Sequence, residues 1–402
     1  MKKVLIAALA TAFAAPAFAA TSNVDVYGRF SATYNVMNTD TSIAGQDKTL
    51  YQVSSNNSYI GFKGNEDLGG GLKAIYQLEV GIDVDGGNNG TSSGANLKNA
   101  LGGNNSFSYR NTFVGLSSDQ FGTVLLGRHD TPYKMATSKL DVFSNEPADY
   151  RNIIGNIDGQ QVFAQRASNV IAYVTPNMMG FTGVAAYVAG NELGTQSAPN
   201  ADAWSVAGMY SNGPIFASLA YEKHNNLTGF AVIRDLSSGG VTTLIPSTAN
   251  LNNHAWKAGV GYDFGPGKIG FIYEDATVDN STAGVSYSRS AYLLDGAYNV
   301  TGNIVLKASW GHAGSLSNTS NTGANSYAVG ADYVFSKRTK LIAQYQKVSN
   351  DSNGSYGVGF GTNSYYAPGV LTTAAAPVAG GPTTGLGGNN PSIISVGIVH
   401  TF

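Results

Sequence analysis

Leu72, Ala74, Tyr76, Leu78, Val80, Ile82 and Val84 occupy every second position of one segment, and Lys73, Gln77, Glu79 and Asp83 fall between them. A period of two places the first set on one face of a strand and the second on the other. The opening segment repeats the pattern: Val24, Val26, Gly28, Phe30, Ala32 and Tyr34 alternate with Asp25, Tyr27, Arg29, Ser31 and Thr33. In the closing segment Ile394, Val396, Ile398, His400 and Phe402 share a face. Read in this way, the chain predicts strands near 24–37, 58–65, 72–84, 108–117, 123–128, 168–175, 181–189, 203–211, 215–223, 255–264, 268–277, 289–299, 304–313, 325–336, 340–349 and 393–402.

The connections alternate in length. Short ones hold turn formers, such as Glu66-Asp67-Leu68-Gly69, Asp119-Gln120-Phe121-Gly122, Asn212-Gly213-Pro214 and Gly265-Pro266-Gly267. Long ones hold polar low-complexity stretches, such as Gly86 to Asn105 and Asn350 to Asn390. An even number of strands of about ten residues, joined alternately by short turns and long loops, is the layout of a bacterial outer-membrane barrel. A soluble sandwich alternates its faces too, so the choice rests on three further features of the chain.

The first is a secretion signal. Lys2 and Lys3 precede an apolar run, Val4 to Ala15, too short to span a bilayer. Pro16 breaks the run, and Ala17-Phe18-Ala19 is a small-x-small cleavage site, with Ala20 as the alternative. Residues 1–19 are therefore read as a signal peptide and 20–402 as one barrel domain, with no linker or composition shift inside it. The second is charge: only 12% of residues are charged, against roughly 25% in soluble domains. With 23 tyrosines and 17 phenylalanines, that suits a surface facing lipid. Removing Lys2 and Lys3 leaves 21 basic residues against 25 acidic ones, which argues against nucleic acid as a partner. The third is the aromatic end, Phe402. In hydrocarbon an all-strand span must close on itself to satisfy its backbone, and sixteen strands leave a wet lumen.

Val26-Tyr27-Gly28-Arg29, Ile60-Gly61-Phe62-Lys63-Gly64, Glu66-Asp67-Leu68-Gly69, Gly71 through Glu79, Arg110-Asn111-Thr112-Phe113-Val114-Gly115-Leu116, Phe121-Gly122 through Leu126-Gly127-Arg128, and the terminal His400-Thr401-Phe402 occur in one order and spacing. In these the chain resembles the Gram-negative general porins of trimeric sixteen-stranded type, nearest to those of β-proteobacteria. The resemblance covers the whole chain and is densest to residue 175. It implies an all-β, sixteen-stranded antiparallel transmembrane barrel in the outer membrane, with its third external loop folded into the lumen. It also implies a homotrimer embedded in outer-membrane lipid, inserted by the barrel-assembly machinery with Phe402 as its assembly signal, and latched by a loop that here is 85–107. The activity it implies is passive diffusion of ions and small hydrophilic solutes.

The resemblance further implies that acids on the third loop, 129–165, stand against basic residues of the wall. The acids proposed for that neck are Asp141, Glu146 and Asp149, with Asn145-Glu146-Pro147-Ala148-Asp149-Tyr150 in the place of the family's tip motif. The bases are Arg29, Arg110 and Arg166, with Lys63 and Arg128 as further candidates. Arg29 is supported independently, because it lies on the polar face of a well-alternating strand. For Arg110 the alternation with Val114 and Leu116 points toward lipid, where a midplane arginine costs roughly 2–4 kcal/mol, so an inward Arg110 needs a bulge.

Catalysis finds no support in the pattern. The five histidines, His129, His224, His254, His312 and His400, form no zinc-spaced pair, there is no cysteine, and no Gly-x-Ser-x-Gly elbow occurs. No cofactor is expected. Three readings remain: a diffusion channel, a substrate-specific channel, and a structural or adhesive outer-membrane protein.

Overall fold

A computed structural model describes residues 23–40, 49–85, 107–190, 201–227, 234–235, 242–243, 251–280, 284–360 and 387–402. The expected secretion signal, 1–19, and most of the expected latch, 86–106, lie outside the described residues.

Sixteen antiparallel strands follow one another and close into a barrel. β1 is Asn23–Asn38. β2 comes in two segments, Thr49–Ser55 and Tyr59–Gly69, both laddered onto β1. There follow β3 Leu72–Ile82, β4 Phe107–Ser118, β5 Gly122–Asp130, β6 Arg166–Val174, β7 Phe181–Ala189 and β8 Asp202–Asn212. The second half holds β9 Ile215–Leu227, β10 Leu251–Asp263, β11 Gly267–Asn280, β12 Val285–Thr301, β13 Ile304–Ala313, β14 Ala324–Val334, β15 Thr339–Asn350 and β16 Ser392–Thr401.

Every segment read from the alternation is a strand. The difference lies in β2, which the pattern starts at 58 and the structure starts at 49. Asn56, Asn57 and Ser58 interrupt it, with Asn57 in the left-handed region at φ 52°, a conformation asparagine tolerates. The interruption is stitched to β1. Asn56 Nδ2 donates to Thr33 Oγ1 at 3.1 Å, and Ser58 Oγ donates to the Ser31 carbonyl at 3.0 Å.

β1 and β16 form the seam, in register from Arg29↔Thr401 to Asn38↔Ser392. The last residue completes it. Gly28 N–H donates to the Phe402 carbonyl at 3.0 Å and Phe402 N–H donates to the Gly28 carbonyl at 3.1 Å. The Phe402 ring lies over Gly28 and stacks on Phe30 at 5.6 Å between centroids. Position 28 must be glycine for that to happen, since a Cβ there would stand 2.5 Å from the ring.

Apolar side chains point outward, the reverse of a soluble sheet. Trp204, Tyr221, Trp256, Trp310 and Tyr327 are exposed toward the long-loop ends, and Tyr210, Tyr262, Phe264, Tyr298 and Phe335 toward the short-turn ends. These are two aromatic belts bounding an apolar band. The dry core is instead inside the barrel. Tyr133, Phe143, Ile153, Ile154, Ile157 and Phe163, all from the segment between β5 and β6, are almost wholly buried.

Candidate functional site

The segment 131–165 folds into the lumen and lies along the inner face of β8 to β15. It starts with helix α1, Pro132–Thr137, whose N-cap Thr131 Oγ1 accepts from Lys134 N–H at 3.3 Å. Pro132 suits the first turn, where its missing N–H has no partner to lose. A single 3-10 turn, Tyr150–Asn152, follows a cap by Asp149. A tight hairpin pairs Asn156–Ile157 with Gln160–Gln161 around Asp158 and Gly159, both at positive φ.

The wall makes room for this segment with glycine. Leu140 packs over Gly259 and Gly261 of β10, Ile153 over Gly311 of β13, and Phe143 over Gly330 of β14. A Cβ at any of the four would meet those side chains at 2.6 to 3.1 Å, closer than packed atoms approach.

A buried ion pair clamps the segment to β11 and β12. Arg289 and Glu274 are 2.9 Å apart with both side chains fully buried. Glu274 accepts from Tyr133 Oη at 2.8 Å and from Gly155 N–H at 2.8 Å, so one carboxylate holds both arms of the loop. Arg289 donates to the carbonyls of Ile153 and Asn156, each at 3.0 Å. Lys257 of β10 sits with its ammonium 4.2 Å from the Tyr133 ring centre. Burial, and then the neighbouring Glu274, push the Tyr133 hydroxyl well above its ordinary range, so it remains a donor.

The tip is pinned by four charges. Glu146 is 2.6 Å from Lys307 of β13 and 2.8 Å from Lys340 of β15. Asp332 of β14 is 2.8 Å from Lys307 and 2.6 Å from Lys340. Asp149 accepts from its own neighbour Arg151 through Nε and a terminal nitrogen, both at 2.7 Å, and from Asn145 N–H at 2.9 Å. Burial alone would raise the Asp149 carboxyl; Arg151 instead holds it below the ordinary range. Asp141 accepts from Phe143 N–H at 2.8 Å and Tyr150 N–H at 3.2 Å. Burial, with Asp149 and Asp295 nearby, raises its carboxyl well above the ordinary range. All three proposed acids are thus turned into the loop or against the wall. An acidic face looking across an open gap at the arginines is not what the structure displays.

The basic residues project from the uncovered arc. Arg29 of β1 donates to the Asn145 carbonyl at 3.2 Å and Ser31 Oγ at 3.4 Å, and it joins none of the ion pairs among the described residues. Arg110 reaches the lumen through a bulge. Leu78 pairs with Thr112 and Val80 with Tyr109, so Arg110 and Asn111 together oppose Glu79. Arg110 lies 3.4 Å from Glu79 and 4.8 Å from the centre of the Tyr59 ring. Arg166 lies 3.0 Å from Asp130 and donates to Asn111 Oδ1 at 2.6 Å. Arg110 is within electrostatic reach of both Arg29 and Arg166. Lys134 adds a fourth cation, 2.9 Å from Asp130; burial pulls its ammonium down to about 8.

Two proposed bases sit elsewhere. Lys63 faces inward but near the short-turn end, over the Tyr27 ring at 5.0 Å. Arg128 lies two residues before Asp130 on β5, opposite Thr112 in the row that continues the exposed Val114 and Leu126. Its guanidinium donates to the Tyr109 carbonyl at 3.0 Å and Ser168 Oγ at 2.8 Å, both on the wall. The sequence reading missed Glu274, Arg289, Lys257, Lys307, Asp332 and Lys340. For all but Lys340, which is the second residue of β15, the signal was charge inside a strand, in a chain where charge is scarce.

A family model described as Gram-negative porin matches residues 6–353. The major outer membrane protein P.IB of Neisseria gonorrhoeae is 29% identical over 355 residues, 85% of this chain and 92% of that protein. Outer membrane porin protein 32 of Delftia acidovorans is 29% identical over 411 residues, covering 100% of both. Among solved structures, the anion-selective porin from Comamonas acidovorans superposes with a TM-score of 0.72 at 24% identity, covering 95% of this chain and 100% of that one. OmpF of Salmonella typhi in complex with daunomycin superposes with a TM-score of 0.61 at 16% identity, covering 94% of this chain and 97% of that one.

Proposed function

Because the chain belongs to the Gram-negative porin family and is an outer-membrane porin channel, we propose that it is a passive, water-filled general diffusion pore whose neck prefers anions. The observation that supports this reading is the charge balance at the neck. Arg29, Arg110 and Arg166 on the wall and Lys134 on helix α1 stand with Glu79 and Asp130, while Glu146 is neutralised by lysines and Asp149 by Arg151. Two cationic charges remain in excess there, and a low-dielectric passage concentrates the potential they create.

A substrate-specific channel would call for a continuous lumen track of aromatic or unpaired basic side chains; here Lys307 and Lys340 are paired with Glu146 and Asp332, and Arg110 and Arg166 with Glu79 and Asp130. The homologues are channel proteins, and the scattered histidines offer no catalytic arrangement. The protein assembles, in this reading, as a homotrimer in outer-membrane lipid after insertion by the barrel-assembly machinery. It enters that route with residues 1–19 removed as a signal.

Planar-bilayer recording tests the proposal. The pore should conduct without an energy source and show a reversal potential of anionic sign in a potassium chloride gradient. Removing part of 135–160 should widen it. A folded deletion variant with unchanged conductance would defeat the assignment of this loop as the neck, and a cationic reversal potential would defeat the charge reading.

A further inference from the structure

Lys307 on β13 and Lys340 on β15 stand outside the arginine group and hold the carboxylate at the loop tip. Glu146 is the residue next to Asn145, whose carbonyl accepts from Arg29 at 3.2 Å. A freed Glu146 carboxylate therefore has Arg29 as its neighbour, and Arg29 already lies within its electrostatic reach. The two lysines hold both of its oxygens, at 2.6 and 2.8 Å, and share Asp332 as counter-charge. Lys307 is 4% exposed and packs over the Phe143 ring, whereas Lys340 is 28% exposed and forms the open corner of the square.

We propose that Lys307 and Lys340 are specificity-determining residues of the channel, which preserve the anion preference by cancelling Glu146 beside Arg29. The inference rests on the neck reading above. The square is neutral as built. Losing either lysine leaves one negative charge next to Arg29, and losing Glu146 leaves one positive charge there. A unit charge several ångströms from the permeation path changes the anion-to-cation permeability ratio by about threefold at moderate salt. Neither lysine needs to touch a passing ion, so these are positioning residues that act through Glu146.

The test is reversal potential in a potassium chloride gradient for a small set of refolded, heat-modifiable variants. Lys340→Gln should lower the permeability ratio about threefold and Lys340→Arg should leave it near wild type. Glu146→Gln should raise it, and Lys340→Gln combined with Glu146→Gln should return it to the wild-type side. An unchanged ratio in Lys340→Gln overturns the proposal. So does a lowered ratio that the added Glu146→Gln fails to restore, because the effect then does not pass through Glu146. If Lys340→Gln does not fold, Glu146→Gln decides alone through the opposite sign. A cation-preferring wild type defeats the neck reading, whereas the lysine proposal depends only on the direction of change between variants.

Discussion

Tyr133 and Glu274 stand 141 positions apart in the chain and 2.8 Å apart in the barrel, hydroxyl to carboxylate. That contact fastens the loop's first turn to the wall, and the same carboxylate takes Gly155 N–H from the returning arm. Removing the charge strands Arg289, which has no exposed side-chain surface. Breaking a buried pair on one side costs about 3–5 kcal/mol, and losing one hydrogen bond to a charged group about 1.5–3 kcal/mol. Glu274→Gln should therefore free the loop more than Tyr133→Phe. Protease nicking within 131–165 and open-channel current noise should both rank wild type below Tyr133→Phe below Glu274→Gln. Equal noise in all three would show that the clamp does not hold the loop.

Arg29→Ala removes the one neck arginine without an ion-pair partner among the described residues. The reversal potential should move toward cations. Arg128→Ala, in the row of Val114 and Leu126 and bonded to the wall, should move it less. An equal shift from both would mean that bonding to the loop tip gives Arg29 no special part in selectivity.

Gly330→Val places a branched side chain where Cβ alone would stand 2.9 Å from Phe143. Overpacking of this kind costs about 1–3 kcal/mol, and here it should lift the loop off β14. Lower conductance or added gating noise is expected. Gly302→Ala, with nothing within 4 Å of a Cβ, is the silent comparison.

Raising the pH should weaken the anion preference through Lys134. Its ammonium is held at about 8 in the folded protein, below its ordinary 10.5. It is charged at pH 7 and neutral by about pH 9.5, so one neck cation disappears across that interval. The unfolded chain binds more protons than the folded one between the two values, so Lys134 adds stability as pH rises. Reversal potentials at pH 7 and 9.5 should differ in wild type, and the difference should shrink in Lys134→Gln.

Gly28→Val should impair assembly much as deletion of Phe402 would, because a side chain at 28 expels the terminal ring from the seam. Yield of heat-modifiable barrel in outer-membrane fractions measures this. Normal yield for both variants would remove the Gly28–Phe402 contact from the assembly route.

The barrel was legible because its faces differ. A period of two survives even where the chain is poor in charge, so every strand was found. The upper half of β2 was not, because Ser54-Ser55-Asn56-Asn57-Ser58 reads as loop, and only the structure shows those side chains stitching a bulge to β1. Arg110 was ambiguous for a related reason: alternation assumes no bulge, and one extra residue opposite Glu79 decides its side. The acids were least legible. Glu146 has cross-barrel partners, Lys307 lying 161 positions beyond it, and no local pattern encodes such a distance; Asp141 and Asp149 are turned inward by bonds within the loop that strand alternation does not describe.

The loop's seat on β8 to β15 makes the barrel mechanically unequal around its circumference. Along that arc the wall is a laminate of two plies, strand and loop, keyed together by glycine recesses and cross-linked by Glu274, Arg289, Lys307 and Lys340. The β1 to β5 arc is mostly one ply thick and carries Arg29 and Arg110. Lateral pressure from the bilayer should therefore bend the thin arc before the thick one. On that geometry the pore is a stiff anvil facing a more compliant jaw, with Arg29 and Arg110 on the jaw.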